Sequence, residues 1–273
     1  MATFTNAGLL GNSKRVSADT GDDLTTSTTY HIFPDNIKYY DIDPDTFSAG
    51  TVKIEMAKIP YAVILFTTDD LATAPTDYSQ EAQDSDTVAM PVDAMPVEAS
   101  GGFIYVGSHV RFKGARVAIV DAQPNGAAGN LTVKYWNGTA LADITATDGT
   151  DSGTGFLDSD GNVTWTDPGS GTWVKGTLTE IESLDSVQQG LVPYANHSLY
   201  WTKWEVSIAL DASVDLESLF LLSNETPIQF RSPREAQIIK QYKGYSGFEL
   251  ATDAGTVTVS INAHSLDPST ELE

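Results

Sequence analysis

Histidine and carboxylate are the side chains in this sequence with catalytic or metal-binding chemistry to offer, because cysteine is absent. That absence removes thiolate nucleophiles, disulfides and cysteine-ligated metals together. The four histidines, His31, His109, His197 and His264, are far apart and form no HExxH or close pair. Each therefore reads as a surface or satisfied core residue, not as a metal ligand. Two carboxylate runs imitate calcium loops, which need Gly at the sixth position and Glu at the twelfth. Asp41-Ile42-Asp43-Pro44-Asp45 puts Thr46 and Val52 at those places, and reads as a turn with solvated carboxylates. Asp158-x-Asp160-x-Asn162 puts Val163 where the glycine must stand. No GxSxG, P-loop or Rossmann glycine pattern occurs. Paired carboxylates for glycoside hydrolysis must be placed by the fold, and the sequence names no pair. No catalytic residue, cofactor or metal ligand is assigned, and the chain reads as a non-enzyme.

Two groups of residues remain as candidate contacts. Arg231, Arg234, Lys240 and Lys243 form the densest basic stretch of the chain. Ser232-Pro233-Arg234-Glu235 has the form of a capping box with proline at the first helical position, which predicts a short helix ended by Lys243-Gly244. Its cations are either a solvated helix face or a contact with an acidic neighbouring subunit. The second group is aromatic. All the tryptophans lie between Trp136 and Trp204. Trp136 stands at a turn edge and Trp173 in a Gly/Ser/Thr-rich loop, so these two are expected to face solvent while the others fill a core.

The elements that position these residues are short and β-like. Tyr30–Phe33, Thr51–Met56 and Tyr61–Phe66 have strand length and β-branched content, and the last is fully apolar, as for a strand buried on both faces. Asp69–Glu98 carries acidic residues, three prolines and no cation, and reads as a long surface loop with an edge strand near Val88–Val92. From Phe103 onward, alternating runs are separated by turn residues. Leu131–Trp136 alternates and ends at Asn137-Gly138, a strong hairpin signal because both residues tolerate positive φ. Asn162–Thr166, Ser198–Leu210, Ser218–Leu222 and Thr256–Ala263 continue the series. Helical periodicity is missing. The fold class is therefore mainly β: an antiparallel β-sandwich or jelly roll with at most one short C-terminal helix. The expected division is an extended arm at 1–30, a β-rich region with an acidic loop at 31–100, a sandwich at 101–224, and a C-terminal extension of helix and strand at 225–273, frayed beyond 264.

One resemblance attaches to the sandwich. Tyr105–Ser108, Val133–Ala140, Asp148–Thr150, Gly161–Pro168, Trp173-Val174 and Leu199–Leu210, in that order, resemble a β-sandwich module of structural proteins in tailed bacteriophages. Such modules occur in capsid decoration proteins and in tail or baseplate components. This chain departs from the pattern at Leu141, where Trp is frequent, and at Lys203-Trp204, where Arg is frequent. The resemblance implies a virion protein, most simply a decoration protein on a major capsid protein lattice, and a homo-oligomer with a trimer favoured. A tail, neck or baseplate component and a carbohydrate-binding host-adhesion module are the alternatives. The last needs Trp136 and Trp173 exposed on one surface.

The bulk numbers agree with a protein–protein role. A formal charge of −22, from 15 basic and 37 acidic residues, argues against a nucleic-acid partner. It favours solubility before assembly. No apolar run reaches membrane-spanning length, and the N-terminus lacks the order of a signal peptide, so the protein is expected to fold in a host cytoplasm and end in the virion.

Overall fold

A computed structural model of the chain describes residues 13–15, 22–33, 39–49, 51–83, 89–120, 123–230, 237–240 and 244–264. Within them the protein is mainly β, with four antiparallel sheets and two one-turn α-helices. The chain divides into two compact units, Met1–Ile59 with Glu225–Glu273, and Pro60–Asn224.

The first unit opens with β1 (Ser13–Arg15), β2 (Asp22–Leu24), β3 (Thr29–Ile32), β4 (Tyr39–Phe47) and β5 (Ile54–Pro60). The second unit holds β6 (Val63–Thr67), β7 (Thr76–Asp77), β8 (Met90–Pro91), β9 (Phe103–Ser108), β10 (Phe112–Ile119) and β11 (Leu131–Trp136). It continues with β12 (Leu141–Ile144), β13 (Ala146–Asp148), β14 (Gly161–Trp165), α1 (Leu178–Ile181), α2 (Gln188–Leu191), β15 (Tyr200–Val206) and β16 (Asp215–Ser223). The chain then returns to the first unit as β17 (Ile228–Phe230), β18 (Gln237–Lys240), β19 (Tyr245–Thr252) and β20 (Val257–His264).

The second unit is a sandwich of two sheets, ordered β12-β11-β15-β9-β6-β7 and β13-β14-β10-β16-β8. Period-two alternation sends Val133 and Tyr135 of β11, Trp204 and Val206 of β15, and Ile104 and Val106 of β9 to one side. There they meet Val117 of β10, Val163 and Trp165 of β14, and Leu219 and Leu221 of β16 in a common core. The hairpin turn after β11 forms as its sequence requires. Gly138 has φ 97°, and the Asn137 side-chain carbonyl accepts from the Thr139 and Ala140 amides at 2.9 Å each.

The six-stranded sheet is covered on its other face too. Val63, Leu65, Phe103, Tyr105 and Trp201 pack there against Leu178, Leu184, Val192, Ala195 and Leu199. That third layer is the segment carrying α1 and α2, started by a capping box between Thr177 and Glu180. It explains why Trp201–Val206 is buried at every position despite its alternating sequence. Gly107 makes room for one member of this layer: it pairs with Trp201, whose ring lies 2.6 Å from where a Cβ at Gly107 would stand.

The first unit also packs two sheets. One is β1-β20-β4-β18 with β2 also on β20, and the other is β17-β5-β19-β3. Leu24, Ile42, Ile54, Met56, Phe248, Leu250, Val259 and Ile261 belong to its core. Phe33, Tyr40 and Phe248 make mutual ring contacts at 5.0–5.8 Å. Burial pushes the Tyr40 phenol up to about 12.

Several sequence expectations change here. The described part of 1–30 is not an arm: β1 and β2 pair with β20. Asp41–Asp45 is not a turn but the middle of β4, with Ile42 and Pro44 buried and Asp43 and Asp45 exposed. Pro44 is tolerated because it adjoins a bulge in β4: Val259 pairs with Pro44 and Thr258 with Thr46, which leaves Asp45 as the extra residue. Gln237–Lys240 is a strand paired with β4, so the predicted helix does not form there. Residues 225–264 supply four strands, and the helices lie at 178–191 instead. The segment 69–98 belongs to the second unit, with β7 and β8 as short edge strands and 3-10 turns at Glu81–Gln83 and Glu98–Ser100. The compact unit containing the sandwich starts at Pro60, not near residue 100, because β6 is an inner strand of its larger sheet. Residues 265–273 lie outside the described residues.

Candidate functional site

Trp173 does not face solvent. It is fully buried, with ring neighbours Phe112 at 5.0 Å, Tyr200 at 5.8 Å, Tyr135 at 6.2 Å and Trp165 at 6.4 Å. Its small polar neighbours make a turn, not an exposed platform. Gly169 takes φ 94°, and the amides of Thr172 and Trp173 donate back to its carbonyl. That turn aims the indole inward. Trp136 is half-buried, its ring lying over Gly176. The pair therefore cannot form one exposed stacking surface. Of the candidate cations, Arg231, Arg234 and Lys243 lie outside the described residues, and Lys240 is described only in its backbone, where it ends β18 opposite Tyr39.

The histidines stay dispersed: His31 stacks on Phe248 at 5.1 Å and His197 meets Tyr194 edge-on at 5.3 Å. Among the described residues no group of three His, Asp or Glu is placed to hold a metal ion. The calcium-like carboxylates hold backbone instead. Asp158 accepts from the Ser152 and Thr154 amides at 2.6 and 2.7 Å, and Asp160 accepts from the Ile119 amide at 2.9 Å.

Two features of the second unit were not singled out from sequence. The first is a row of charge on the outer face of the six-stranded sheet. Asp143, Lys134, Lys203 and Tyr105 stand opposite one another across four strands. Two lysines side by side repel, so carboxylates must compensate them. Lys134 pairs with Glu205 and, at 3.0 Å, with Glu98. Lys203 lies 3.2 Å from Glu182 and 3.5 Å from Asp70, and its ammonium sits 3.6 Å from the Phe103 ring centroid. Burial opposes the charge of Lys134, yet its hydrogen bonds to Glu205 and Glu98 win and raise its pKa. The hydrogen bond from Lys134 lowers the Glu98 carboxyl. Burial raises Glu205, with the ammonium only partly offsetting it. This network ties the Glu182 end of α1 to the sheet. Its signal in the sequence was the charge within two aromatic strands, Val133-Lys134-Tyr135-Trp136 and Trp201-Thr202-Lys203-Trp204-Glu205.

The second feature is an open groove of about 700 Å³ at the edge of the sandwich, where β12 passes into β13. These are the outermost strands of the two sheets, so the chain changes sheet between them, at Thr145. Tyr135, Trp165, Ile144 and Pro168 supply its apolar wall. Thr145, Thr147, Thr164 and Thr166, with Asp143, supply the polar one. Thr147 and Thr164 are direct cross-strand partners. Among the described residues no lysine, arginine or histidine lines it. Chemically the groove offers hydroxyls and one carboxylate against aromatic and apolar carbon.

No protein-family model matches the chain, and no curated protein sequence matches it.

Proposed function

We propose that the protein is a non-enzymatic virion structural protein, a capsid decoration protein that binds and stabilises a lattice of major capsid protein. The observation that supports this is where the residues resembling the bacteriophage module lie. Tyr135, Trp165, Trp173 and Trp204 pack into one sandwich core, and Trp201 packs on the sheet's other face. On this reading, what the chain shares with such modules is a scaffold, whose aromatics hold the strands together. The formal charge of −22 suits a subunit that stays soluble until it meets a lattice. A homo-oligomer, with a trimer favoured, suits the symmetric positions of such a lattice.

The test is co-sedimentation with empty shells of the major capsid protein encoded in the same genome, followed by imaging. Binding that saturates at a fixed ratio to capsid protein and raises the shell's melting temperature is the expected result. A failure to co-sediment sinks the capsid reading. Copies found only at the tail, neck or baseplate of intact particles replace it with the tail reading.

A further inference from the structure

We infer that the groove at the β12–β13 crossing is a binding site for a neutral saccharide. This stands apart from the decoration reading and does not rest on it. The volume, about 700 Å³, is that of a small-molecule site. Its chemistry narrows the ligand class. An anionic ligand such as a phosphate or a sialylated glycan meets no cation in the lining, meets the carboxylate of Asp143, and approaches a protein of charge −22. A wholly apolar ligand would bury four threonine hydroxyls. A ligand with many hydroxyls on one edge and C–H faces on the other matches both walls.

The donor and acceptor inventory points the same way. Thr145, Thr147 and Thr166 are exposed and Thr164 is half-buried, so the threonines of the lining are open to a solute. Trp165 is only 6 % exposed and its ring packs on Phe112, Trp173 and Trp204, so it backs the apolar wall and leaves polar recognition to the threonines. Among the described residues the outer edges of β12 and β13 pair with no other strand, which leaves backbone groups at the rim as well. Strand pairing fixes the spacing of the threonines, since Thr147 faces Thr164 directly and Thr145 and Thr166 follow at two-residue intervals. Such a spaced set of hydroxyls suits successive oxygens of a sugar chain better than one small polyol.

The experiment is titration of the full chain with maltotriose, cellotriose, tri-N-acetylchitotriose and mannotriose, read by saturation-transfer NMR and calorimetry. At least one trisaccharide is expected to bind saturably, with a dissociation constant of roughly millimolar or tighter. The double variant Thr147→Val, Thr164→Val removes two hydroxyls without changing side-chain shape, and should weaken that binding by about tenfold or more. Trp136→Ala, outside the groove, should leave it unchanged. Thermal melting of each variant separates lost binding from lost folding. If no trisaccharide binds up to about 20 mM, far above the range of such sites, the inference fails. It also fails if the folded double variant binds like the parent.

Discussion

Trp173→Ala should damage the fold, not a surface. The indole is fully buried among four aromatic rings. A buried Trp removes about 200 Å² from water, which at about 25 cal/mol per Å² is worth about 5 kcal/mol. Measured Trp-to-Ala truncations in cores fall at about 3–5 kcal/mol, since neighbours relax partly into the hole. We expect a loss of about 4 kcal/mol in the second unit. At about 2–4 °C per kcal/mol for a unit of this size, the melting point should drop by about 8–16 °C. The assay is favourable because every Trp, from Trp136 to Trp204, lies in Pro60–Asn224. Tryptophan fluorescence during urea unfolding therefore reports that unit alone, and four indoles remain after the substitution. Trp136→Ala is the comparison: its half-buried ring predicts a loss of about 1–2 kcal/mol, scaled to its smaller buried area. A loss below about 1 kcal/mol for Trp173→Ala, or a larger loss for Trp136→Ala, refutes the packing argument.

Other perturbations have defined outcomes. Gly107→Ala drives a Cβ into the Trp201 ring, so the ring layer must shift; a loss of about 1–3 kcal/mol by the same fluorescence assay is expected. Lys134→Met leaves Glu205 buried without its cation and should cost about 3–5 kcal/mol at pH 7. Because burial already raises the Glu205 carboxyl, that cost should shrink as the solution is acidified and Glu205 takes up a proton; a cost independent of pH speaks against the ion pair. In the parent protein the lowered Glu98 carboxyl contributes stability present above its unfolded value of 4.5 and lost as pH falls through its folded value. The raised Lys134 contributes stability present below 10.5 and lost as pH rises through its folded value, which urea midpoints across both windows will show. Residues 60–224 expressed alone should fold with the parent's Trp emission, whereas residues 1–59 without 225–273 should remain unfolded by circular dichroism.

What the sequence revealed depended on how local the deciding interaction was. The Asn137-Gly138 hairpin and the double burial of β6 were legible because turn chemistry and an apolar run act within a few residues. The predicted helix at Ser232–Tyr242 had good local signals, yet Gln237–Lys240 is held as strand by Tyr39–Ile42, nearly two hundred residues away. A capping box is worth about 1 kcal/mol, less than a ladder of backbone pairs. Trp173 was misread for a related reason. Loop composition describes its neighbours, while its burial is decided by Phe112 and Tyr200 on other strands. The charged row was hidden because Lys134, Lys203 and Glu205 look like the solvated face of alternating strands. Only the covering segment with α1 and α2 makes that face an interior. The groove was hidden too, since Thr145–Thr147 and Thr164–Thr166 acquire meaning only when β13 and β14 pair.

The joining of both chain ends in one unit alters how a lattice contact must be sought. If residues 1–30 were an arm, deleting them would remove an anchor and leave a folded body. Here β1 and β2 pair with β20, and Leu24 belongs to the core of the first unit. Deleting 231–243 likewise removes β18 from the edge of the β4 sheet. Either truncation confounds lost binding with lost folding. Charge reversal separates them, because Lys240→Glu changes an edge-strand side chain while β18 keeps its backbone pairing. An interface that uses the basic stretch against an acidic neighbour loses affinity on reversal of Arg231, Arg234, Lys240 or Lys243, with a salt dependence that weakens in step. A fold that merely tolerates those cations melts at an unchanged temperature and binds shells as before.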